Sequence, residues 1–132
     1  MYKQKICLGT FGGVDYSEEE QVLLFKKAGF DGFFTGYEND EQISTLATLA
    51  RENDMIYQSI HAPFLLSAEL WKEGEKGEKY VDDIIKCINI ASKENIPLVV
   101  AHVYIGFYTG EKPTQLGIQR LQKAVNIAKE RT

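Results

Sequence analysis

The feature that most constrains this chain is an alternation: a short apolar run, a turn, then residues with helical apolar spacing closed by Gly or Asn. The first helical stretch opens at Ser17-Glu18-Glu19-Glu20, a capping-box pattern in which the serine hydroxyl and the third glutamate satisfy each other's backbone amides. Its apolar positions Val22, Phe25 and Ala28 recur at three-residue steps, with Leu24 alongside, and Gly29 is placed to close it in a left-handed conformation. The second starts at Asn39 or Asp40, carries Ile43, Leu46, Ala47 and Ala50 as one stripe, and ends at Asn53. The third buries Val81, Ile84, Ile85, Ile88 and Ala91 and ends at Asn95. A fourth begins near Thr114, after the turn residues Tyr108-Thr109-Gly110-Glu111-Lys112-Pro113, and buries Leu121, Ala124, Val125 and Ala128.

Each helix is preceded by a candidate strand, at 5–8, 31–35, 55–61 and 96–101. The last is nearly continuous in apolar residues with Pro97 at its start, the pattern of a parallel strand buried on both faces. Gly9-Thr10-Phe11-Gly12-Gly13 lacks the spacing of a phosphate-binding loop and reads as ordinary turn chemistry. The connection at 64–78 is longer than usual, and such loops tend to carry function or disorder.

Four strand-helix units without a hairpin predict an α/β fold with a parallel sheet and right-handed crossovers. Two architectures fit: four consecutive βα units of a (β/α)8 TIM-type barrel, that is a half barrel, or a flavodoxin-like doubly wound sheet. The fourth helix runs into residues 128–132, where the next terminator is due, which predicts a chain cut between units. A half barrel leaves two sheet edges and one lumen-facing surface uncovered, so self-association is expected.

Composition narrows the function class. A chain of 132 residues with 44% hydrophobic and 26% charged residues matches a single soluble domain spanning 1–132. The net charge of −4 argues against a protein whose main work is gripping a nucleic-acid phosphate backbone, which usually shows a basic face or stripe; a local basic patch stays open. No apolar run is long enough for a membrane span or a signal-peptide core. Cys7 and Cys87 show no motif spacing and read as two free buried thiols, which fits a cytoplasmic location.

The two histidines are the candidate site. His61 ends one apolar run in Ile60-His61-Ala62-Pro63-Phe64, and His102 ends another in Val99-Val100-Ala101-His102. Ligands of parallel α/β folds sit at the carboxyl ends of strands, so the two side chains are expected to converge. A neutral imidazole both ligates borderline metals and titrates near neutral pH. Phe64 and Trp71, in the loop that follows, either stack on a ligand or pack the loop down.

The stretch Ile60-His61-Ala62-Pro63-Phe64 with Leu70-Trp71, the preceding Gly29-Phe30-Asp31-Gly32-Phe33-Phe34, and Val99-Val100-Ala101-His102 resemble the xylose isomerase-like TIM barrels. These are the sugar phosphate isomerase/epimerase group, related to endonuclease IV. The resemblance covers nearly all of this chain and about half of that fold. It implies the N-terminal half of a metal-dependent sugar or sugar-phosphate isomerase/epimerase, with a divalent ion (Mn, Mg, Co or Zn) at the carboxyl ends of the strands. In sugar-handling members the ligands are mainly carboxylates and a histidine of the second half. The resemblance therefore places no catalytic residue within these 132 positions and implies that they are inactive alone; whether they hold a metal by themselves it leaves open, with His61 and His102 as the candidate ligands. His61 would orient substrate hydroxyls, with Phe64 and Trp71 against the sugar and Glu38, at the end of the second strand, as a further candidate. In the nuclease branch His61 and His102 would instead bind zinc and the substrate would be an abasic site in DNA. A non-catalytic small-molecule-binding domain is the alternative from another class.

Overall fold

Capping residues set the helix boundaries. The computed structural model describes residues 3–104 and 112–131, so the turn expected at 108–111 lies outside the described residues. Helix α1 (Glu18–Ala28) carries the full capping box between Ser17 and Glu20 and ends at Gly29, with φ of 91°. Helix α2 (Asp40–Glu52) is capped by the Asn39 side chain, which accepts from the Gln42 amide. Its last turn closes at Asn53, while the positive φ falls one residue later, at Asp54. Helix α3 (Glu75–Glu94) ends at left-handed Asn95, and the Thr114 hydroxyl accepts from the Gly117 amide to open α4 (Gln115–Glu130).

Strands β1 (Cys7–Gly9), β2 (Gly32–Gly36), β3 (Ile56–His61) and β4 (Leu98–Val100) form one sheet in the order β1-β2-β3-β4, every pairing parallel. Consecutive helices pack on one another, α1 on α2, α2 on α3 and α3 on α4. That order decides between the two architectures. A doubly wound sheet reverses its strand order at a switch point, whereas a barrel adds each strand on the same side of the last. The chain has the topology of half a TIM barrel.

Register assigns the two faces, because directly paired residues of parallel strands point the same way. Leu8, Phe33, Thr35, Ile60 and Val99 face the helices, where Phe33, Thr35 and Ile60 are fully buried. Gly9, Phe34, Ser59, His61, Leu98 and Val100 face the other way, toward what would be a barrel lumen. A register shift between Phe33 and Phe34 sets Phe33 against Tyr57 but Phe34 against Ser59. Such a bulge re-aims the end of β3.

Four expectations are corrected. The connection after β3 is long, as expected, but its far end moves: Ser67–Trp71 forms a 3-10 turn and α3 begins already at Glu75 instead of after 78. Strand β4 is not buried on both faces: Leu98 is 54% exposed, since the inner side of a half barrel is open. In α1, Leu24 and Ala28 are exposed, and Gln21 is buried instead, its amide bonded to the backbone of Phe11 and Tyr16. In α4, Val125 is exposed, and Gly117, Arg120 and Ala124 occupy the buried stripe.

Arg120 is the least expected of these. Its guanidinium donates to the carbonyls of Leu70 (2.9 Å), Lys72 (2.6 Å) and Gly74 (3.2 Å), and to Glu78 Oε1 at 2.8 Å. A buried cation is tolerated when its donors are met, and here they fasten the β3–α3 connection to α4. Neither cysteine is disulfide-bonded: Cys87 is buried, which pushes its thiol up to about 12, and Cys7 is half-buried. No helix among the described residues is long and apolar enough to cross a membrane.

Candidate functional site at the carboxyl end of the sheet

Backbone bonds fix where each strand releases its chain. The Tyr37 amide donates to the His61 carbonyl at 3.0 Å, the Ala62 amide to the Val100 carbonyl at 2.9 Å, and the Thr10 amide to the Phe34 carbonyl at 3.0 Å. His61 is therefore the last laddered residue of β3, and the register directs its side chain into the lumen beside that of Phe34. The two rings stack, with centres 5.2 Å apart and planes 19° from parallel.

Phe34 lies flat because Gly9 is beneath it. A Cβ at Gly9 would stand 2.5 Å from Phe34 Cε2. Sequence reasoning missed Phe34 as a site residue, although the Phe33-Phe34 doublet carries the signal: with a period of two, one ring must face the helices and the other the lumen.

His102 follows β4, and its imidazole centre lies 5.7 Å from that of His61. Phe64 meets His102 edge-on at 5.5 Å and remains 45% exposed. The chain after β4 is held from behind: the Tyr80 hydroxyl donates to the His102 carbonyl, and Trp71 Nε1 donates to the Val103 carbonyl at 3.3 Å. Trp71 itself is 8% exposed, stacked on Tyr104 at 6.0 Å and pressed against Gly117. The two aromatic candidates thus divide. Phe64 presents a ring to the lumen end, whereas Trp71 is a buttress.

Glu38 is exposed, with its amide donating to Gln42 Oε1 at 3.1 Å. A second tie crosses the same end of the sheet, where Glu18 accepts from the Thr10 hydroxyl at 2.7 Å and from the Gln42 amide. It joins the loop after β1 to the start of α2.

Burial lowers the pKa of His61 below its ordinary value, and the neighbouring His102 lowers it further. Near neutral pH the His61 ring is therefore uncharged, with one donor and one acceptor nitrogen. Such a group suits a hydroxyl-rich ligand. A catalytic zinc ordinarily requires three protein ligands, and no cluster of three His, Cys, Asp or Glu exists among the described residues. The two imidazoles alone do not fit a catalytic metal.

Solved structures of longer chains provide the match in three dimensions. The D-psicose 3-epimerase of Clostridium cellulolyticum H10 superposes with a TM-score of 0.69 at 12% identity, over 94% of this chain and 49% of that one. The fold is half of a TIM barrel. A xylose isomerase domain protein from Planctomyces limnophilus aligns with a TM-score of 0.67 at 10% identity, over 96% of this chain and 49% of that chain. The 3-keto-D-glucoside 4-epimerase of E. coli aligns with a TM-score of 0.63 at 12% identity, over 94% of this chain and 51% of its own. The half barrel therefore spans about half the length of the structures it matches. No family model matches the sequence, and no curated protein does either.

Proposed function

We propose that this chain is the substrate-facing N-terminal half of a sugar or sugar-phosphate isomerase/epimerase. The observation that carries the reading is the lumen-facing group Phe34, His61, His102 and Phe64, at the carboxyl end of a half barrel whose structural neighbours include two sugar epimerases. Such a reaction moves a proton next to a carbonyl and needs an acid and a base. The residues described here bind and orient. Neutral His61 exchanges hydrogen bonds with substrate hydroxyls, and Phe64 covers a C–H face and excludes water. A divalent metal in the complete protein would polarise the sugar oxygens, and its carboxylate ligands would come from beyond this chain.

Titration of the 132-residue protein with D-fructose or D-tagatose, followed by NMR, tests the binding half of this reading. Shifts centred on His61, His102 and Phe64, weakened at least about fivefold by Phe64→Ala, are the expected result. Shifts scattered over the surface would overturn it. Epimerase turnover by the purified chain would overturn the claim that it is inactive alone.

The 5.7 Å approach of His61 and His102 favours a second reading, a zinc nuclease of the endonuclease IV kind acting on abasic DNA. It requires zinc to bind the complete protein and to be lost on changing either histidine. The net charge of −4 speaks against it.

A further inference from the structure

We infer that this half of the site takes an uncharged sugar and rejects its phosphate ester by charge. The inference rests on the sugar reading above and adds the class of sugar to it. Register turns Gly9, Phe34, Ser59, His61, Leu98 and Val100 toward the lumen, and none of them is Lys, Arg, Asp or Glu. Phe64 adds an exposed ring beside His102. Such a wall meets C–H faces and exchanges hydrogen bonds with hydroxyls through its imidazoles. Holding a phosphate calls for Arg, Lys or a bare helix N-terminus instead.

The rim around that wall is acidic. The loops leaving β1, β2 and β3, at 10–17, 37–39 and 62–74, bring Asp15, Glu38, Glu69 and Glu73 against one cation, Lys72, which is paired with Glu69 at 3.2 Å. In sequence, the stretch that leaves β4, 101–114, adds one carboxylate and one lysine, which offset each other. Each helix runs back against the strand before it, so the helix first turns lie at this same end. Those of α1, α2 and α3 hold Glu or Asp, in α3 beside Lys76, whereas the last turns of all four helices hold Lys or Arg. These charges complement the helix dipoles. They also polarise the fold, with the negative end at the site.

The helix N-termini do not reverse that sign. Free amides at such termini are a common phosphate site, but here the chain's own side chains take them at three helices. Ser17 accepts from the Glu20 amide, Asn39 from the Gln42 amide and Thr114 from the Gly117 amide. At α3 the N-cap is Gly74, without a capping side chain, and Glu75 stands in the first turn. A phosphate ester carries close to two negative charges at neutral pH. A negative rim lowers its concentration at the site and leaves an uncharged sugar unaffected.

The test compares D-fructose with its bisphosphate, esterified at both ends, on the 132-residue protein by NMR, following His61, His102 and Phe64. At low ionic strength the bisphosphate should bind at least about tenfold more weakly than the sugar, and the gap should narrow as salt screens the rim. Asp15→Lys combined with Glu73→Lys reverses two exposed charges, in the loops after β1 and β3. This double variant should keep its affinity for D-fructose within about twofold and shrink the gap by about threefold or more. A bisphosphate that binds wild type as tightly as the sugar, or more tightly, overturns the inference and leaves the sugar reading standing. A gap that neither salt nor the double variant moves overturns it as well, because the rejection is then one of shape. No shift with either compound overturns the sugar reading itself, and the inference falls with it.

Discussion

The imidazoles of His61 and His102 lie with ring centres 5.7 Å apart, although each ends a different strand region, and the register of β3 on β4 is what brings them together. Burial and this neighbour both disfavour the charged form of His61. An NMR titration should therefore give His61 a pKa below its unfolded value of about 6.5. Substituting His102→Gln removes the weaker of the two causes and should move that pKa upward. Because the folded value is the depressed one, the stabilisation is complete above about pH 6.5 and is lost as pH falls through the folded pKa. An unchanged His61 titration in the variant would sink this account.

A second relationship is steric. A Cβ at Gly117 would stand 2.3 Å from Trp71 Cε3 and 3.1 Å from the Leu70 carbonyl oxygen. Replacing a helical glycine by alanine ordinarily gains about 1 kcal/mol. Overpacking costs about 1–3 kcal/mol, and here the obstacles are a rigid indole and backbone. The clash wins. Gly117→Ala should lower stability by roughly 1–2 kcal/mol in urea titrations and red-shift Trp71 fluorescence. Equal or greater stability would show that α4 shifts freely against the loop.

Arg120 predicts a contrast between two partners. Its bonds to the carbonyls of Leu70, Lys72 and Gly74 are buried or nearly so, whereas the Glu78 side chain is 54% exposed. Arg120→Met leaves three carbonyls short of a donor, at about 1–3 kcal/mol for each group that stays buried. The loss should reach about 3 kcal/mol or more. Glu78→Gln removes the charge at the solvent-exposed end of the pair, keeps an oxygen to accept from Arg120, and should cost less than about 1 kcal/mol. Comparable losses from both substitutions would assign the stabilisation to the ion pair instead of the carbonyls.

The alternation of strands and helices was legible because its punctuation is local. Ser17, Gly29, Asn39, Asn95 and Thr114 do their capping through bonds to neighbours a few residues away. The convergence of the histidines was legible as a consequence of topology. The seating of Phe34 on Gly9 was not, because that contact exists only across paired strands, although the Phe33-Phe34 doublet signals one ring on each face. The errors in the core have one cause. Periodicity picked out Leu24 in α1 and Val125 in α4, which flank the open edges, while the stripe buried in α4 is Gly117, Arg120 and Ala124. Apolar spacing records every surface a chain is built to bury, including surfaces covered only by another βα unit. Arg120 gave no such signal, since a charged residue reads as solvated until its carbonyl partners are in place.

The first strand is secured by a carboxylate where its ladder begins. Asp31 accepts from the Ile6 amide and from Lys5 Nζ, each at 2.9 Å, and its own amide donates back to the Ile6 carbonyl at 2.9 Å. The Ile6 amide is the larger cause, and Lys5 the next, of a carboxyl pKa held below its ordinary value. A depressed carboxylate stabilises above its unfolded pKa of about 3.9, and the contribution is lost as pH falls through the folded value. Asp31→Asn should therefore melt below wild type at neutral pH, and the two melting temperatures should converge on acidification through about pH 4. Hydrogen exchange at the Ile6 amide should quicken in the variant at neutral pH. A melting difference that persists undiminished to about pH 2 would mean that the asparagine fails for reasons of shape and that the charge contributes nothing.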